Sequence, residues 1–130
     1  MKYLPDTNVF IALAAGRESI LRKLRFISTR DVGLSAIVHH ELFFGAFNGS
    51  RRDDSLANIG ELRFPTLPFD EQDAFRAGEI RAYLEARGTP IGAYDVLIAG
   101  QALARDLTLV TRNIGEFARV DGLRVENWEA

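Results

Sequence analysis

The chain has 130 residues, 47% of them hydrophobic, which is enough for one folded unit with its own core, expected to span residues 1–130. The formal net charge is −2 and the pI about 5.7, so no global positive field advertises a nucleic-acid partner. Cysteine is absent, excluding disulfides, thiol nucleophiles and thiolate zinc sites, and any metal must be held by oxygen or by the two histidines.

The longest apolar runs, such as Val9 to Ala15, are too short to cross a bilayer, and the first residues lack the charged, apolar and cleavage-site series of a signal peptide. No membrane partner and a cytoplasmic location are expected. Of the 16 basic residues only Lys2 and Lys23 are lysines, and the others are arginines, whose planar fork matches phosphate.

Lys2 to Leu4 reads as a short strand, and Asp6-Thr7-Asn8 as the entry to a helix through Val9, Phe10, Leu13 and Ala14 that stops at Gly16. A second helical pattern runs through Ile20, Leu21, Leu24 and Ile27. Val32 to Ser35 is a candidate strand, after which Ser35 caps a helix carrying Ile37, His40, Glu41 and Phe44 on one stripe. Asn48 to Asp54 is loop-like, with a helix after it to about Leu62. Phe64 to Phe69, with Pro65 and Pro68, allows only a short edge-type strand. Asp70, with Asp73 three residues on, opens a helix with Ala77, Ile80 and Leu84 on one face, and Gly88 stops it. A loop at Thr89 to Gly92 precedes a helix from Tyr94 or Asp95 to about Asp106, then a buried-type strand at Leu107 to Thr111 and a last strand at Leu123 to Trp128. Strands alternating with helices predict an α/β fold with a mainly parallel sheet, whose ligands bind beyond the carboxyl ends of the strands. Asp6 and Thr111-Arg112-Asn113 fall there.

Asp6, Glu41, Asp95 and Asn113 sit at predicted strand ends or on helix starts. Asp6 and Asp95 also suit helix caps, and Asn113 suits a turn. Glu41 differs, because a carboxylate among Leu42, Phe43 and Phe44 is costly to bury unless paired or liganded. Brought together, these acids would repel one another unless a divalent cation sat between them, and hard oxygen ligands select Mg²⁺ or Mn²⁺. Metal-dependent phosphoryl chemistry by an activated water follows as the expectation, with Thr7, Asn8 and Thr111 as hydrogen-bonding support.

The segments YLPDTNVFIAL, LSAIVHHELFFGA and GTPIGAYDVLIAGQALARDLTLVTRNIGEFARVDGLRVENW resemble PIN-domain ribonucleases of the VapC toxin type over nearly the whole chain. The resemblance implies a three-layer α/β/α fold, an acidic Mg²⁺ or Mn²⁺ site, endonucleolytic cleavage of RNA with transfer RNA as the expected class, and inhibition of translation. It also implies a VapB-type antitoxin, a homodimer and a toxin–antitoxin hetero-oligomer. Carried over by position, the metal-binding acids are Asp6 of the D-T-N motif, Glu41, and Asp95 of the Y-D-x-L-I-A motif. The fourth catalytic position, Asp in many members, is Asn113 here, with Glu116 a further carboxylate nearby. Arg51, Arg52, Arg112 and Arg119 are candidate RNA contacts, and Phe43, Phe44 and Phe47, with Phe26 and Leu42, a candidate antitoxin groove. Pro5 departs from the aliphatic residue common in the motif, and should cost the strand one ladder bond and distort the site locally.

Other readings compete. Asp6-Thr7-Asn8-Val9 mimics the nucleophile motif of haloacid-dehalogenase-like phosphatases, but the second Asp is missing and no lysine follows residue 23, which also counts against a receiver-like switch. His40-Glu41 suggests a zinc protease, but H-E-x-x-H finds Phe44 where its second His belongs, and His39 and His40 are expected on the helix surface. A non-enzymatic RNA- or protein-binding module would stand if Asp6, Glu41 and Asp95 failed to converge.

Overall fold

A computed structural model of the chain describes residues 1–129. The elements in order are β1 (Tyr3–Pro5), α1 (Thr7–Ala14), α2 (Glu18–Leu24), a 3-10 turn (Thr29–Asp31), β2 (Leu34–Ser35), α3 (Ala36–Asn48), α4 (Arg52–Gly60), β3 (Thr66–Leu67), α5 (Glu71–Ala86), α6 (Ala93–Ala104), β4 (Thr108–Val110), α7 (Ile114–Phe117) and β5 (Val125–Glu126). The central sheet has the order β1-β4-β5 and is parallel throughout, with Leu4 opposite Leu109 and Val110 opposite Glu126. A second parallel pair, β2-β3, joins it through one bridge between Tyr3 and Val32. Leu4, Leu109 and Val110 are fully buried, as expected of a parallel sheet covered by helices.

Local chemistry accounts for the element ends. Ser35 accepts from the Ile37 amide at the start of α3. Asp70 and Asp73 form a complete capping box at the start of α5, and Gly88, in the left-handed region at φ 71°, follows its end. Asp73 has no solvent exposure and receives both Arg105 Nε and Nη2 at 3.2 and 3.0 Å, which ties α5 to the end of α6. The two helices meet so closely at Gly100 that a Cβ there would lie 2.6 Å from the Ala77 Cα.

The structure corrects several expectations. Helix α4 begins at Arg52, inside the segment read as loop, because Asp53 and Asp54 are first-turn acids that favour the helix start. The short helix α7 was not anticipated. The last strand shrinks to two residues, although Trp128 beyond it is buried and stands edge-on to Tyr3.

Pro5 costs less at the site than expected. The Lys2 carbonyl accepts from Thr108 and the Asp6 amide donates to Val110, both at 2.9 Å, whereas the Tyr3 carbonyl accepts from Gly33 on the opposite edge. Alternation along a parallel strand therefore directs the missing Pro5 donor toward the segment around Val32. The lost bond falls on that edge, where pairing is a single bridge, and the ladder with β4 runs through Pro5 opposite Val110.

Candidate active site

The carboxyl end of β1 delivers Asp6 into the turn before α1. Its amide is bonded to β4, one carboxylate oxygen accepts from the Val9 amide at 3.2 Å, and the other from the Thr111 hydroxyl at 2.6 Å. Asp6 is thus a helix cap and a buried, oriented carboxylate at once, only 7% exposed. Thr111 Oγ1 in turn accepts from the Asn113 amide, so the β4–α7 turn is tied to Asp6 through one hydroxyl.

Glu41, in the second turn of α3, is half-buried rather than enclosed, and accepts from the Thr7 hydroxyl at 2.8 Å. Asp95 lies in the first turn of α6 and does not cap it, since the cap position is Gly92 and no side chain bonds there. A Cβ on Gly92 would lie 2.8 Å from Asp95 Oδ2, so the glycine leaves the space that this carboxylate occupies. Asp6, Glu41 and Asp95 converge on one cleft of about 460 Å³, also lined by Thr7, Asn8, Ile11, His40, Phe44 and Tyr94.

The acids are electrostatically crowded. Burial, more than any other cause, pushes the Asp95 carboxyl up to about 6, and Glu116, Glu41 and Asp6 add like charge and, from Glu116, a hydrogen bond. Burial also raises Asp6, opposed by the bonds from Thr111 and Val9 and reinforced by Glu41 and Glu129. Among the described residues, no three His, Asp or Glu side chains are gathered closely enough to hold an ion as they stand. The donor set nevertheless fits a hard divalent cation, because it consists of oxygen atoms whose mutual repulsion such a charge would relieve.

Asn113 is not among the residues lining the cleft, and its side-chain amide donates to Glu116. Glu116 does not line the cleft either, but it accepts from the Gly92 amide at 2.9 Å and is hydrogen-bonded to Asp95, which ties it to the acids as Asn113 is not. Asn8 is exposed at the cleft wall. None of the candidate arginines lines the cleft: Arg51 and Arg52 are paired with Asp54 and Asp53 around a separate hollow, Arg119 donates to the Pro90 carbonyl, and Arg112 is exposed beside Thr111.

Phe43, Phe44 and Phe47 are exposed but do not form one groove. Phe44 faces the acid cleft, Phe47 the hollow of Arg51 and Arg52, and Phe43 stacks on His39. His39 is half-buried, not a surface residue, and burial lowers its pKa. A continuous apolar groove does exist between α1, α3 and α4, lined by Phe10, Ile11, Ala14, Leu42, Ile59 and Leu62 among others, and Ile11 is shared with the acid cleft. Sequence reasoning also missed Tyr94, although it directly precedes Asp95, and Glu129, a nearly buried carboxylate paired with Arg17 at 3.4 Å. The stripe of His40, Glu41 and Phe44 expected from their spacing is the face of α3 that lines the cleft.

Comparison with known proteins agrees with this geometry. The family profile described as PIN domain matches residues 3–123. The chain is 36% identical over 130 residues to the tRNA(fMet)-specific endonuclease VapC of Salmonella typhimurium, covering 98% of each. It is 33% identical over 133 residues to Ribonuclease VapC2 of Rickettsia felis, covering 99% of each. Its fold superposes with a TM-score of 0.92 on a chain of the DNA-bound VapBC complex of Salmonella typhimurium, at 36% identity and 98% coverage of both.

Proposed function

This chain belongs to the PIN domain family, among the VapC ribonucleases of toxin–antitoxin systems, and from that premise we propose that its acidic cleft is a divalent-metal site for endonucleolytic hydrolysis of RNA. The observation that carries the reading is the convergence of Asp6, Glu41 and Asp95, from three distant stretches of sequence, on one cleft. The binding-module reading required the opposite. The phosphatase reading lacks its lysine, and no helix among the described residues is long and apolar enough to cross a membrane.

Asp6, Glu41 and Asp95 would hold Mg²⁺ or Mn²⁺, with Glu116 rather than Asn113 as the fourth contributor. When bound, the ion supplies the positive charge that offsets the carboxylates and the scissile phosphate, and the Lewis acidity that attack by water requires. The chain's own residues fix the frame. Thr111 and the Val9 amide hold Asp6 in one orientation, Thr7 does the same for Glu41, and Gly92 leaves room for Asp95 beside Glu116. Neither histidine nor lysine is needed as a base.

The named activity of the Salmonella relative makes transfer RNA the substrate class to test first, with arrest of translation in the cytoplasm as the consequence. A VapB-type antitoxin would lay an apolar segment in the groove between α1, α3 and α4, which reaches the acids at Ile11 and displaces Phe43 and Phe47 as the preferred contacts. A homodimer inside a toxin–antitoxin hetero-oligomer completes the proposal. The test is a cell-free translation reaction with sequencing of RNA ends. The expected result is that synthesis stops and one tRNA is cut at a discrete position. Arrest with all tRNA intact would redirect the search to another RNA, and no cleavage of any RNA would overturn the reading.

A further inference from the structure

The acid cleft has a second character that its metal chemistry does not use. His40 on α3 and Tyr94 on α6 stand with ring centroids 5.2 Å apart, bridging the two helices at the wall of the cleft, and Phe44 and Ile11 complete the same rim. These side chains are wet: Tyr94 is 46% exposed, Ile11 53% and Phe44 62%. Single exposed apolar residues are ordinary, but several around one cleft mark a contact surface. The lining also contains no arginine or lysine, so the wall itself offers a phosphate backbone no attraction.

What it offers is ring surface. Every nucleobase has a π-face that stacks on an aromatic side chain irrespective of sequence, and only an unpaired base can present it. We propose that Tyr94, supported by His40 and flanked by Phe44, is a stacking platform for an unpaired base next to the scissile phosphate. The proposal rests on the ribonuclease reading of the same cleft and adds to it a side chain that contacts the substrate's base. Tyr94 bears the main contact because it joins the half of α6 that presents Asp95, one residue away, and therefore stands in fixed register with the acids.

The test uses a short single-stranded RNA carrying a fluorescent purine analogue, whose emission falls on stacking. Cleavage-deficient Asp6→Asn protein should quench it, Asp6→Asn/Tyr94→Phe should quench it equally, and Asp6→Asn/Tyr94→Ala should lose most of the quench. In the otherwise intact enzyme, Tyr94→Ala should raise KM about tenfold or more, the scale of one lost stacking contact, with Tyr94→Phe restoring it. Equal KM and quenching in Tyr94→Ala, with wild-type cleavage intact, would overturn the platform and leave the nuclease standing. Failure of the wild type to cut any RNA would overturn the nuclease, while a Tyr94-dependent quench in that case would leave a base-binding site. Loss of antitoxin binding in Tyr94→Ala with unchanged RNA kinetics would assign the rim to the inhibitor and overturn the proposal.

Discussion

Asp95 concentrates the tension of the site. Its carboxyl is pushed up to about 6, first by burial and then by Glu116, while in the unfolded chain it titrates near the ordinary Asp value of about 3.9. Between those values the folded protein binds the extra proton, so metal-free stability falls as pH rises from about 4 through about 6, and the loss is complete at pH 7. Asp95→Asn removes the charge. Melted in EDTA, it should therefore be more stable than wild type at neutral pH, and the gap should close toward pH 4. An Asn variant that melts well below wild type at neutral pH would make the carboxylate structural.

Gly92 gives the complementary test at the same scale. Its φ of −56° is open to any residue, so Gly92→Ala strains no backbone, but its Cβ would meet Asp95 Oδ2 at 2.8 Å and the flexible carboxylate must move. Displacement of a reacting group by an ångström can cost about a hundredfold in rate. The variant should keep its melting temperature and lose about ten- to a hundredfold in RNA cleavage. Unchanged cleavage would show that the position of the Asp95 carboxylate is not critical.

Between elements, the contact of α5 with α6 is the most exacting. Gly100 lies against the backbone of Ala77, where a methyl group has no room and no flexible neighbour to displace. Gly100→Ala should destabilise the fold by about 1–3 kcal/mol despite the better helix propensity of alanine, as a denaturant midpoint would show. A stabilised variant would mean that the two helices can separate at little cost.

The elements that were legible in sequence are those whose ends carry their own chemistry. Asp70 with Asp73, Ser35, Asp6 and Gly88 each announced a helix boundary that the structure has. Arg51 to Asp54 misled because the same charged residues suit a loop and a helix start, and α7 is too short to show a periodicity. Glu41 stood out because a carboxylate in apolar surroundings needs a reason, whereas Asp6 and Asp95, which alone suited helix caps, were picked out by their place at strand ends and helix starts and by the family resemblance. Tyr94 was missed because an aromatic residue in a helix reads as core until its exposure is known. Glu116 was seen, but its preference over Asn113 depends on the Gly92 amide, a contact across 24 residues.

At the scale of the whole molecule, a chain of net charge −2 with an acid-lined cleft has little electrostatic attraction for RNA of its own. On the proposed reading a positive ion at the acids is the central requirement, and ring contacts at the rim would supply attraction that salt does not screen. The direct measurement is cleavage of a defined RNA by purified protein in Mg²⁺ or Mn²⁺ and again in EDTA, alongside Asp6→Asn and Asp95→Asn. Cleavage that depends on the ion, stops on chelation, returns when the ion is restored, and is lost in both variants is the predicted result. Cleavage that survives chelation or either substitution would contradict the account.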